Sequence, residues 1–222
     1  MKRALICFTR IPTAAAEGDR LAPALTARQS AMLQRAFLKD LSRVAAAVDA
    51  ALYIAYAPGP GAERLRTVFP GAAGYFPQQG EELGGRMAHA LDTVLAMGYD
   101  ACVLFGGDVP LMTADHLESA FHALEEADVT LGPAEDGGYY LVGLKAPCPE
   151  LFRQQSYGTS AVCRNAIAAA MRAGRSVAVA RRCRDVDSAA DLPLLWTFLR
   201  GSRCATANYL RSVLRGREAP LS

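Results

Sequence analysis

The sequence predicts an α/β fold of three layers, α/β/α, with a mostly parallel central sheet. Short apolar runs that end in glycine, proline or acidic residues alternate with segments in which apolar residues recur at helical spacing. This alternation is typical of a parallel sheet covered by helices on both faces. Of the 222 residues, 51% are hydrophobic and 21% are charged, which suffices for one well-buried domain without disulfides. We therefore expect a single domain over residues 1–222, with a helical tail from about residue 200.

The pattern of apolar residues and turn residues gives each element in order. The predicted strands are residues 4–8, 51–57, 74–77, 102–105, 127–133, 139–144 and 177–180. The predicted helices are residues 26–48, 62–69, 86–97, 114–126, 151–155, 160–173, 192–199 and 208–214. Thr26 is the expected N-cap of the first helix. The Asp-Gly-Gly turn at residues 136–138 predicts an antiparallel or crossing pair of strands rather than another helical crossover.

Composition and missing motifs argue against several functional classes. The net charge is +2, so there is no electrostatic case for binding nucleic acid. Neither G-x-G-x-x-G nor G-x-x-x-x-G-K-[ST] occurs, which disfavours a dinucleotide dehydrogenase and a P-loop enzyme. A G-x-S-x-G nucleophile elbow is also missing from the sequence.

The cysteines and the N-terminus predict a cytoplasmic protein. None of the six cysteines forms a C-x-x-C pair, and we expect all of them to be reduced thiols. The apolar part of the first ten residues is too short for a signal peptide. No apolar run approaches the roughly 20 residues of a membrane helix, so no membrane partner is expected.

Asp108 is the first candidate for a functional residue. It follows the predicted strand 102–105 and the Gly106-Gly107 turn, and Pro110 ends the turn. Open α/β sheets bind ligands beyond the carboxyl ends of their strands, and glycines allow the backbone to approach a bulky partner. Asp108 either holds a divalent cation against a nucleotide diphosphate or only hydrogen-bonds the backbone of the turn, and this stretch leaves both interpretations open.

Further carboxylates and several arginines extend this candidate site. The carboxylates that follow predicted strands are Asp108, Asp136, Asp185 and Asp187. Such hard oxygen ligands suit Mg²⁺ or Mn²⁺ together with substrate phosphates. The arginines in flanking loops that can clamp phosphate or carboxylate oxygens are Arg10, Arg20 and Arg86. Together these residues predict a pocket for a phosphate-bearing, negatively charged ligand.

Several motifs along roughly residues 3–195 carry a family resemblance. They are Phe8-Thr9-Arg10-x-Pro12 with Arg20-Leu21, Gln79-Gly80-x-x-Leu83-Gly84-x-Arg86-Met87, Gly107-Asp108-x-Pro110, Gly132-Pro133-Ala134-x-Asp136-Gly137-Gly138-Tyr139-Tyr140-Leu141-x-Gly143-Leu144, and Asp185-Val186-Asp187-Ser188 with Asp191-Leu192. Together they resemble the DUF2064 family. That family is similar to glycosyltransferases of the GT-A type and to the nucleotidyltransferases that share their fold.

The resemblance implies a nucleotide-diphospho-sugar transferase fold and a role for each motif. Asp108 and Asp187 would hold the metal, Mg²⁺ or Mn²⁺. The residues expected to contact the nucleotide or its phosphates are Arg10, Arg20, Gln79, Gly80, Arg86 and Gly107. Those expected on the acceptor side are Gly137, Gly138 and Tyr139. Asp136 would bind the acceptor or act as catalytic base, with a turn-forming Asx role as the alternative.

The first loop departs from the family pattern. The family form P-x-P-G-x-x-K-T-R-L has lysines, whereas residues 12–21 here lack them and carry Glu17 and Asp19. Only Arg20 remains there to meet a phosphate, which disfavours triphosphate binding.

Three hypotheses about function follow from these motifs. The first is a metal-dependent glycosyltransferase that moves a sugar from a nucleotide diphosphate sugar to a small-molecule acceptor. The second is a nucleotidyltransferase that acts on a nucleoside triphosphate and a phosphorylated small molecule. The third is a catalytically decayed nucleotide-binding protein. The expected partners are therefore a nucleotide sugar or nucleotide and a small acceptor, and a homodimer is kept open.

Overall fold

The computed structural model describes residues 1–13, 21, 24–153 and 155–218, with side chains described through residue 213. The strands in this part of the chain are β1 (Arg3–Thr9), β2 (Ala51–Tyr56), β3 (Gly74–Pro77), β4 (Ala101–Gly106), β5 (Val129–Pro133), β6 (Tyr139–Leu144) and β7 (Val177–Val179). They form one sheet of order β3-β2-β1-β4-β6-β5-β7.

Helices connect most of the strands. They are α1 (Ala27–Ala46), α2 (Glu63–Val68), α3 (Leu83–Leu95), α4 (Ala114–Glu126), α5 (Val162–Arg172), α6 (Leu192–Leu199) and α7 (Ala205–Glu218). Thr26 caps α1, as predicted, because its side chain accepts a hydrogen bond of 3.3 Å from the amide of Gln29. The Thr26 amide donates in return to Gln29 Oε1 at 2.9 Å, which completes a capping box. None of the described helices combines the length and the apolar character that crossing a membrane requires.

The sheet is mostly parallel, as predicted. β1 pairs in parallel with β2 and β4, β2 with β3, and β5 with β7. β6 runs antiparallel to both β4 and β5, which confirms the antiparallel pair expected around residues 136–138. Gly137 makes the reversal with φ +93°, a conformation that favours glycine, and a Cβ there would collide with the Ser160 carbonyl.

The helices form one layer on each face of the sheet, and alternate residues of the strands contact the two layers. On β1, Leu5 and Cys7 belong to a core cluster that includes residues of α1, α2 and α4. Ala4 and Ile6 belong to the other cluster, with residues of α3 and α5. All four residues are fully buried, which explains why this strand reads as a continuous apolar run. The three-layer α/β/α expectation is therefore confirmed.

The C-terminal helices pack on α1. A third apolar cluster joins α1, α6 and α7 through Phe37, Leu195 and Leu210, among others. Asp40 of α1 caps α7, since its two carboxylate oxygens accept hydrogen bonds of 2.8 Å each from the amides of Ala205 and Thr206. The helical tail is thus attached to the sheet domain through α1.

Several predicted elements differ from the structure, and the helix predicted over 208–214 begins earlier, at Ala205. The helix predicted over 151–155 is instead a short 3-10 helix, Pro149–Leu151. α3 begins at Leu83, three residues before the predicted start. Gly84 and Gly85 therefore lie in the first turn of the helix. A Cβ on Gly84 would lie 2.6 Å from the Phe152 carbonyl oxygen and 2.7 Å from the Tyr157 hydroxyl, so glycine here permits close packing of the helix.

Candidate functional site

A cavity of about 660 Å³ lies at the carboxyl edge of the parallel strands. Thr9 and Arg10 reach it from the end of β1, Gln78 from the end of β3, and Asp108 from the end of β4. Since β6 is antiparallel, its first residue, Tyr139, reaches the same edge. The cavity therefore occupies the position where open α/β sheets bind ligands.

Of the two glycines before Asp108, Gly107 is required by close packing against Thr9. The amide of Gly107 donates to the Phe8 carbonyl at 3.0 Å, and a Cβ on Gly107 would lie 2.6 Å from Thr9 Oγ1. A Cβ on Gly106 would collide with the Asp108 carboxylate. The turn after β4 thus lies against the end of β1, with the carboxylate of Asp108 folded back over Gly106.

Three carboxylates form an acidic cluster beside Asp108. Carboxylate oxygens of Asp136, Asp185 and Asp187 lie within 4.8 Å of one another, and all three residues line the cavity together with Asp108. The amide of Val186 donates to the Asp108 carbonyl at 2.9 Å, which holds the segment after β7 against the turn after β4. The structure thus brings the predicted metal ligands Asp108 and Asp187 into one cavity, and their role as ligands stays a prediction.

The electrostatics of the acidic cluster favour a bound cation. Burial raises the pKa of Asp185 to about 7, and the negative charges of Asp187, Asp136 and Asp108 contribute to the same increase. Like charges held this close destabilise one another until a cation or protons offset them. The donor set consists of carboxylate oxygens alone, which fits Mg²⁺ or Mn²⁺. The sequence includes Asp185 among the carboxylates that suit such a cation, whereas the family resemblance names Asp108 and Asp187 alone as ligands.

Asp136 has the turn-forming role that the sequence offered as an alternative. Its Oδ1 accepts a hydrogen bond of 2.8 Å from the amide of Gly138, which is an Asx turn. The carboxylate of Asp136 also belongs to the acidic cluster. Asp136 therefore forms the Asx turn and lies at the site.

The predicted phosphate contacts are only partly brought together. Arg10, Arg86 and Gly107 line the cavity, whereas Arg20 lies outside the described residues. The guanidinium of Arg86 donates through Nε to the Gly80 carbonyl at 2.8 Å. Gln79 and Gly80 are not among the described residues that line the cavity. Gly80, whose φ is +129°, contacts Arg86 through its carbonyl.

Gln78 lines the cavity, whereas Gln79, the predicted contact of the nucleotide, is not among the described lining residues. Its side chain is buried, and its Nε2 donates to the carbonyls of Thr9 and Ala55 at 3.1 and 3.0 Å. Gln78 therefore joins the ends of β1 and β2 at the cavity, while Gln79 is exposed.

The part of the cavity that contains the predicted acceptor residues has an aromatic wall that the sequence motifs did not reveal in full. Gly138 and Tyr139 line the cavity as predicted neighbours of the acceptor, whereas Gly137 is not among the described lining residues and makes the turn. The aromatic wall comprises Leu83, Met87, Tyr139, Tyr157 and Val162. The hydroxyls of Tyr139 and Tyr157 lie 3.3 Å apart, and burial raises the pKa of Tyr139 well above its ordinary value.

Comparisons with known proteins agree on the family and the fold. The family described as "Uncharacterized protein conserved in bacteria (DUF2064)" matches residues 40–159. A solved structure from Desulfovibrio desulfuricans G20, provisionally described as a nucleotide-diphospho-sugar transferase, is 31% identical with a TM-score of 0.88. That match covers 97% of this chain and 96% of the other.

Two further similarities are to a guanylyltransferase in sequence and to a synthetase in fold. Phosphoenolpyruvate guanylyltransferase of Chloroflexus aggregans (strain MD-66 / DSM 9485) is 30% identical over 76 residues, which are 34% of this chain and 38% of that protein. The chain thus matches less than half of that relative's length. The structure of CMP:2-keto-3-deoxy-manno-octonic acid synthetase complexed with CTP shares the fold at a TM-score of 0.54 and 14% identity, over 90% of this chain and 98% of that one. The chain therefore belongs to the DUF2064 family and has a fold like that of the nucleotide-diphospho-sugar transferases, as its motifs predicted.

Proposed function

We propose that the protein is a metal-dependent transferase that moves a sugar from a nucleotide diphosphate sugar to a small acceptor. The observation that carries the proposal is the meeting of Asp108 with the acidic cluster in one cavity at the carboxyl edge of the sheet. The cavity, at about 660 Å³, falls in the usual range of roughly 300–1,000 Å³ for small-molecule sites. The similarity to the D. desulfuricans protein, which is provisionally described as a nucleotide-diphospho-sugar transferase and matches 97% of this chain, supports the proposal.

Asp108 and Asp187 are the proposed ligands of Mg²⁺ or Mn²⁺, and Asp185 and Asp136 each have a carboxylate oxygen within 4.8 Å of one of Asp187. When bound, the cation would offset the charge that develops on the departing nucleoside diphosphate. The carboxylates hold their positions because the backbone contact between Val186 and Asp108 fixes the two turns relative to each other.

The donor phosphates are assigned to the arginine side of the cavity. Arg10 and Arg86 line it, and guanidinium groups match the geometry of phosphate oxygens. Arg86 donates through Nε to the Gly80 carbonyl at 2.8 Å and through Nη2 to the Glu81 carbonyl at 3.5 Å. These hydrogen bonds orient the guanidinium, and Nη1 is the atom assigned to phosphate. Arg20, Gln79, Gly80 and Gly107 remain predicted contacts of the nucleotide.

The acceptor is assigned to the side of Asp136 and Tyr139. Because Oδ1 of Asp136 accepts the hydrogen bond of Gly138, Oδ2 is the atom assigned to the acceptor hydroxyl. In that position the carboxylate can take the proton of the hydroxyl as it attacks the sugar.

The test is an activity screen of purified protein with a panel of nucleotide diphosphate sugars, Mn²⁺ or Mg²⁺, and mixed small acceptors, with release of nucleoside diphosphate as the measurement. We expect at least one donor to turn over in a metal-dependent reaction. Asp108→Asn should reduce turnover about 100-fold or more, as the loss of one electrostatic contact to the reacting groups commonly does. Asp49→Asn, a change at an exposed aspartate outside the cavity, serves as the control and should leave turnover unchanged. Full activity of a folded Asp108→Asn variant, with its metal dependence intact, would falsify the assignment.

Nucleotidyl transfer is the second candidate, and one observation favours it. The guanylyltransferase from C. aggregans is similar over 76 residues. The lysine-poor first loop disfavours a triphosphate substrate. Pyrophosphate release from a panel of nucleoside triphosphates with phosphorylated acceptors would favour this candidate, whereas nucleotide binding without turnover or metal dependence would indicate a decayed, binding-only protein.

A further inference from the structure

A second, smaller cavity lies between α1 and α2. Its volume is about 240 Å³, and among the described residues it shares no lining side chain with the cavity at the carboxyl edge of the sheet. Three of its lining residues are arginines, and no carboxylate is among the described residues that line it. The residues that define this arginine groove are Arg28, Arg35 and Arg64, with Met32, Leu65 and Val68.

The spacing of residues on α1 places two of the arginines on one face of the helix. Arg28 and Arg35 are seven residues apart, which is about 10 Å along the helix axis. Met32 lies between them at helical spacing from both, and 45% of its surface is exposed. α1 therefore presents an exposed apolar side chain between two guanidinium groups.

α2 supplies the third arginine and the apolar floor of the groove. Leu65 and Val68 are buried in the core cluster that α2 shares with α1 and α4. The Arg64 side chain lies close to Gly61, where a Cβ would be 3.5 Å from Arg64 Nε. Gly61 has φ +90°, a conformation that favours glycine. The backbone before α2 therefore leaves room for the side chain of Arg64 at the groove.

The positive charges of the groove are poorly offset within the described part of the chain. Arg64 Nε is 4.0 Å from Glu63 Oε1, and the two side chains are 63% and 74% exposed, so this pair contributes little. Neither Arg28 nor Arg35 forms an ion pair with another described residue. Burial raises the pKa of the Tyr209 phenol, and the charge of Arg28 opposes that increase. Three guanidinium groups around one small cavity therefore favour an anion of high charge.

The chemistry of the groove distinguishes between classes of anion. A carboxylate carries one negative charge, whereas a phosphate monoester carries about two at neutral pH, which is closer to the three positive charges. Guanidinium groups also match phosphate oxygens through paired hydrogen bonds. Inorganic phosphate would leave Met32 uncovered, and exposed apolar surface in a cavity favours a ligand that covers it. The volume is below the range of roughly 300–1,000 Å³ that is usual for small-molecule sites, so the ligand is small.

We propose that the arginine groove is a binding site for a small phosphate monoester, separate from the proposed transferase site. The phosphate lies among the guanidinium groups of Arg28, Arg35 and Arg64. The apolar group of the ester lies on Met32. This site does not depend on which transfer reaction the larger cavity performs, because the two cavities have different lining residues in the described part of the chain.

The experiment follows isotope-labelled methionine methyl groups of the full chain by NMR. Met32 reports on the arginine groove, and Met87 reports on the larger cavity that it lines. Met32→Leu and Met87→Leu variants assign the two signals. Phenyl phosphate, inorganic phosphate and benzyl alcohol are titrated in separate samples, so that the phosphate and the apolar group are tested together and apart.

We expect phenyl phosphate to shift the Met32 signal in a saturable way. It should bind about tenfold more tightly than inorganic phosphate, because its ring covers apolar surface. Benzyl alcohol, which has the ring but no phosphate, should bind more weakly than phenyl phosphate. A shift of the Met87 signal alone would assign phenyl phosphate to the larger cavity and overturn the inference. Equal affinity of phenyl phosphate and either of the other two probes would also overturn it.

Variants on both helices locate the phosphate. Arg35→Gln on α1 and Arg64→Gln on α2 should each weaken the binding of phenyl phosphate at Met32 about tenfold, as the loss of one hydrogen bond to a charged group does. Arg172→Gln, at an exposed arginine of α5 outside both cavities, is the matched control and should leave the affinity unchanged. Wild-type affinity in the two groove variants, or an equal loss in all three variants, would overturn the site.

Discussion

The amide nitrogen of Val186 donates a hydrogen bond of 2.9 Å to the carbonyl oxygen of Asp108. This contact links the turn after β4, in the middle of the sheet, to the segment that follows β7 at its edge. Val186 itself is buried in the cluster of α1, α6 and α7, while its neighbours Asp185 and Asp187 line the cavity. The hydrophobic effect at position 186 therefore helps to hold two carboxylates close together against their repulsion.

The first prediction concerns pH and Asp185. Folding raises the pKa of this carboxyl from 3.8 to about 7. Between pH 3.8 and about 7 the folded protein therefore binds more protons than the unfolded chain. Its stabilising contribution is present below about pH 4 and is lost as the pH rises through about 7. At about 1.4 kcal/mol per pKa unit the full effect would be about 4 kcal/mol, and partial exposure to solvent reduces this to about 2 kcal/mol.

Denaturant unfolding between pH 4.5 and 8, with a chelator present, measures this effect. We expect the free energy of unfolding to fall with rising pH in the wild type and to be flatter in Asp185→Asn. Added Mg²⁺ should restore stability at pH 8 in the wild type. Identical pH profiles for the two proteins would show that Asp185 is not the responsible group.

The second prediction compares two adjacent glycines of α3. Gly84→Ala places a Cβ 2.6 Å from the Phe152 carbonyl oxygen and 2.7 Å from the Tyr157 hydroxyl, so it should destabilise the protein by about 1–3 kcal/mol. Gly85→Ala meets no atom within 4 Å and should be neutral or stabilise by up to about 1 kcal/mol, because alanine is the better helix former. Thermal unfolding measures the change in Tm for each variant. Equal changes in the two variants would contradict the packing of Gly84 against Tyr157.

The third prediction concerns Asp40 and the C-terminal helix. Asp40→Ala removes the acceptors of the Ala205 and Thr206 amides, and the loss of such a cap should cost about 1–2 kcal/mol. Hydrogen exchange should accelerate first in α7. Lys39→Ala, at the exposed preceding residue, is the control. If exchange in α7 stayed at the wild-type rate in Asp40→Ala, the cap would not be what holds this helix on α1.

The fourth prediction separates Gln78 from Gln79. Gln78→Ala leaves the carbonyls of Thr9 and Ala55 without their side-chain donor, which should destabilise the protein by about 1–3 kcal/mol and raise the KM for the donor. Gln79→Ala should leave the stability unchanged because this side chain is exposed. A larger rise in KM for Gln79→Ala than for Gln78→Ala would instead support the contact that the sequence motif predicted.

The fold could be predicted because its strands carry strong local signals. β1 and β4 are continuous apolar runs that end in turns, and α1 has an apolar stripe and a capping threonine. The start of α3 could not be read in the same way, since glycines are poor helix formers. Close packing on Phe152 and Tyr157 depends on residues far along the chain, and it outweighs that local preference.

Parts of the candidate site could not be predicted, because they depend on tertiary packing that has no local signal in the sequence. Adjacent residues of an extended segment point to opposite faces, so a shift of one position separates Gln78 in the cavity from Gln79 outside it. The same alternation offered a usable signal in Asp185-Val186-Asp187, where two carboxylates flank one apolar residue and must share a face. The position of Tyr157 on the aromatic wall had no local signal, because it depends on how the segment before α5 packs on α3.

The most direct measurement is the binding of Mn²⁺, followed by the electron paramagnetic resonance signal of the free ion, in the presence of a nucleoside diphosphate. We predict one tightly bound Mn²⁺ per chain in the wild type, with its affinity reduced at least tenfold in both Asp108→Asn and Asp187→Asn and unchanged in Asp49→Asn. Equal Mn²⁺ binding by the wild type and the two cavity variants would contradict the account.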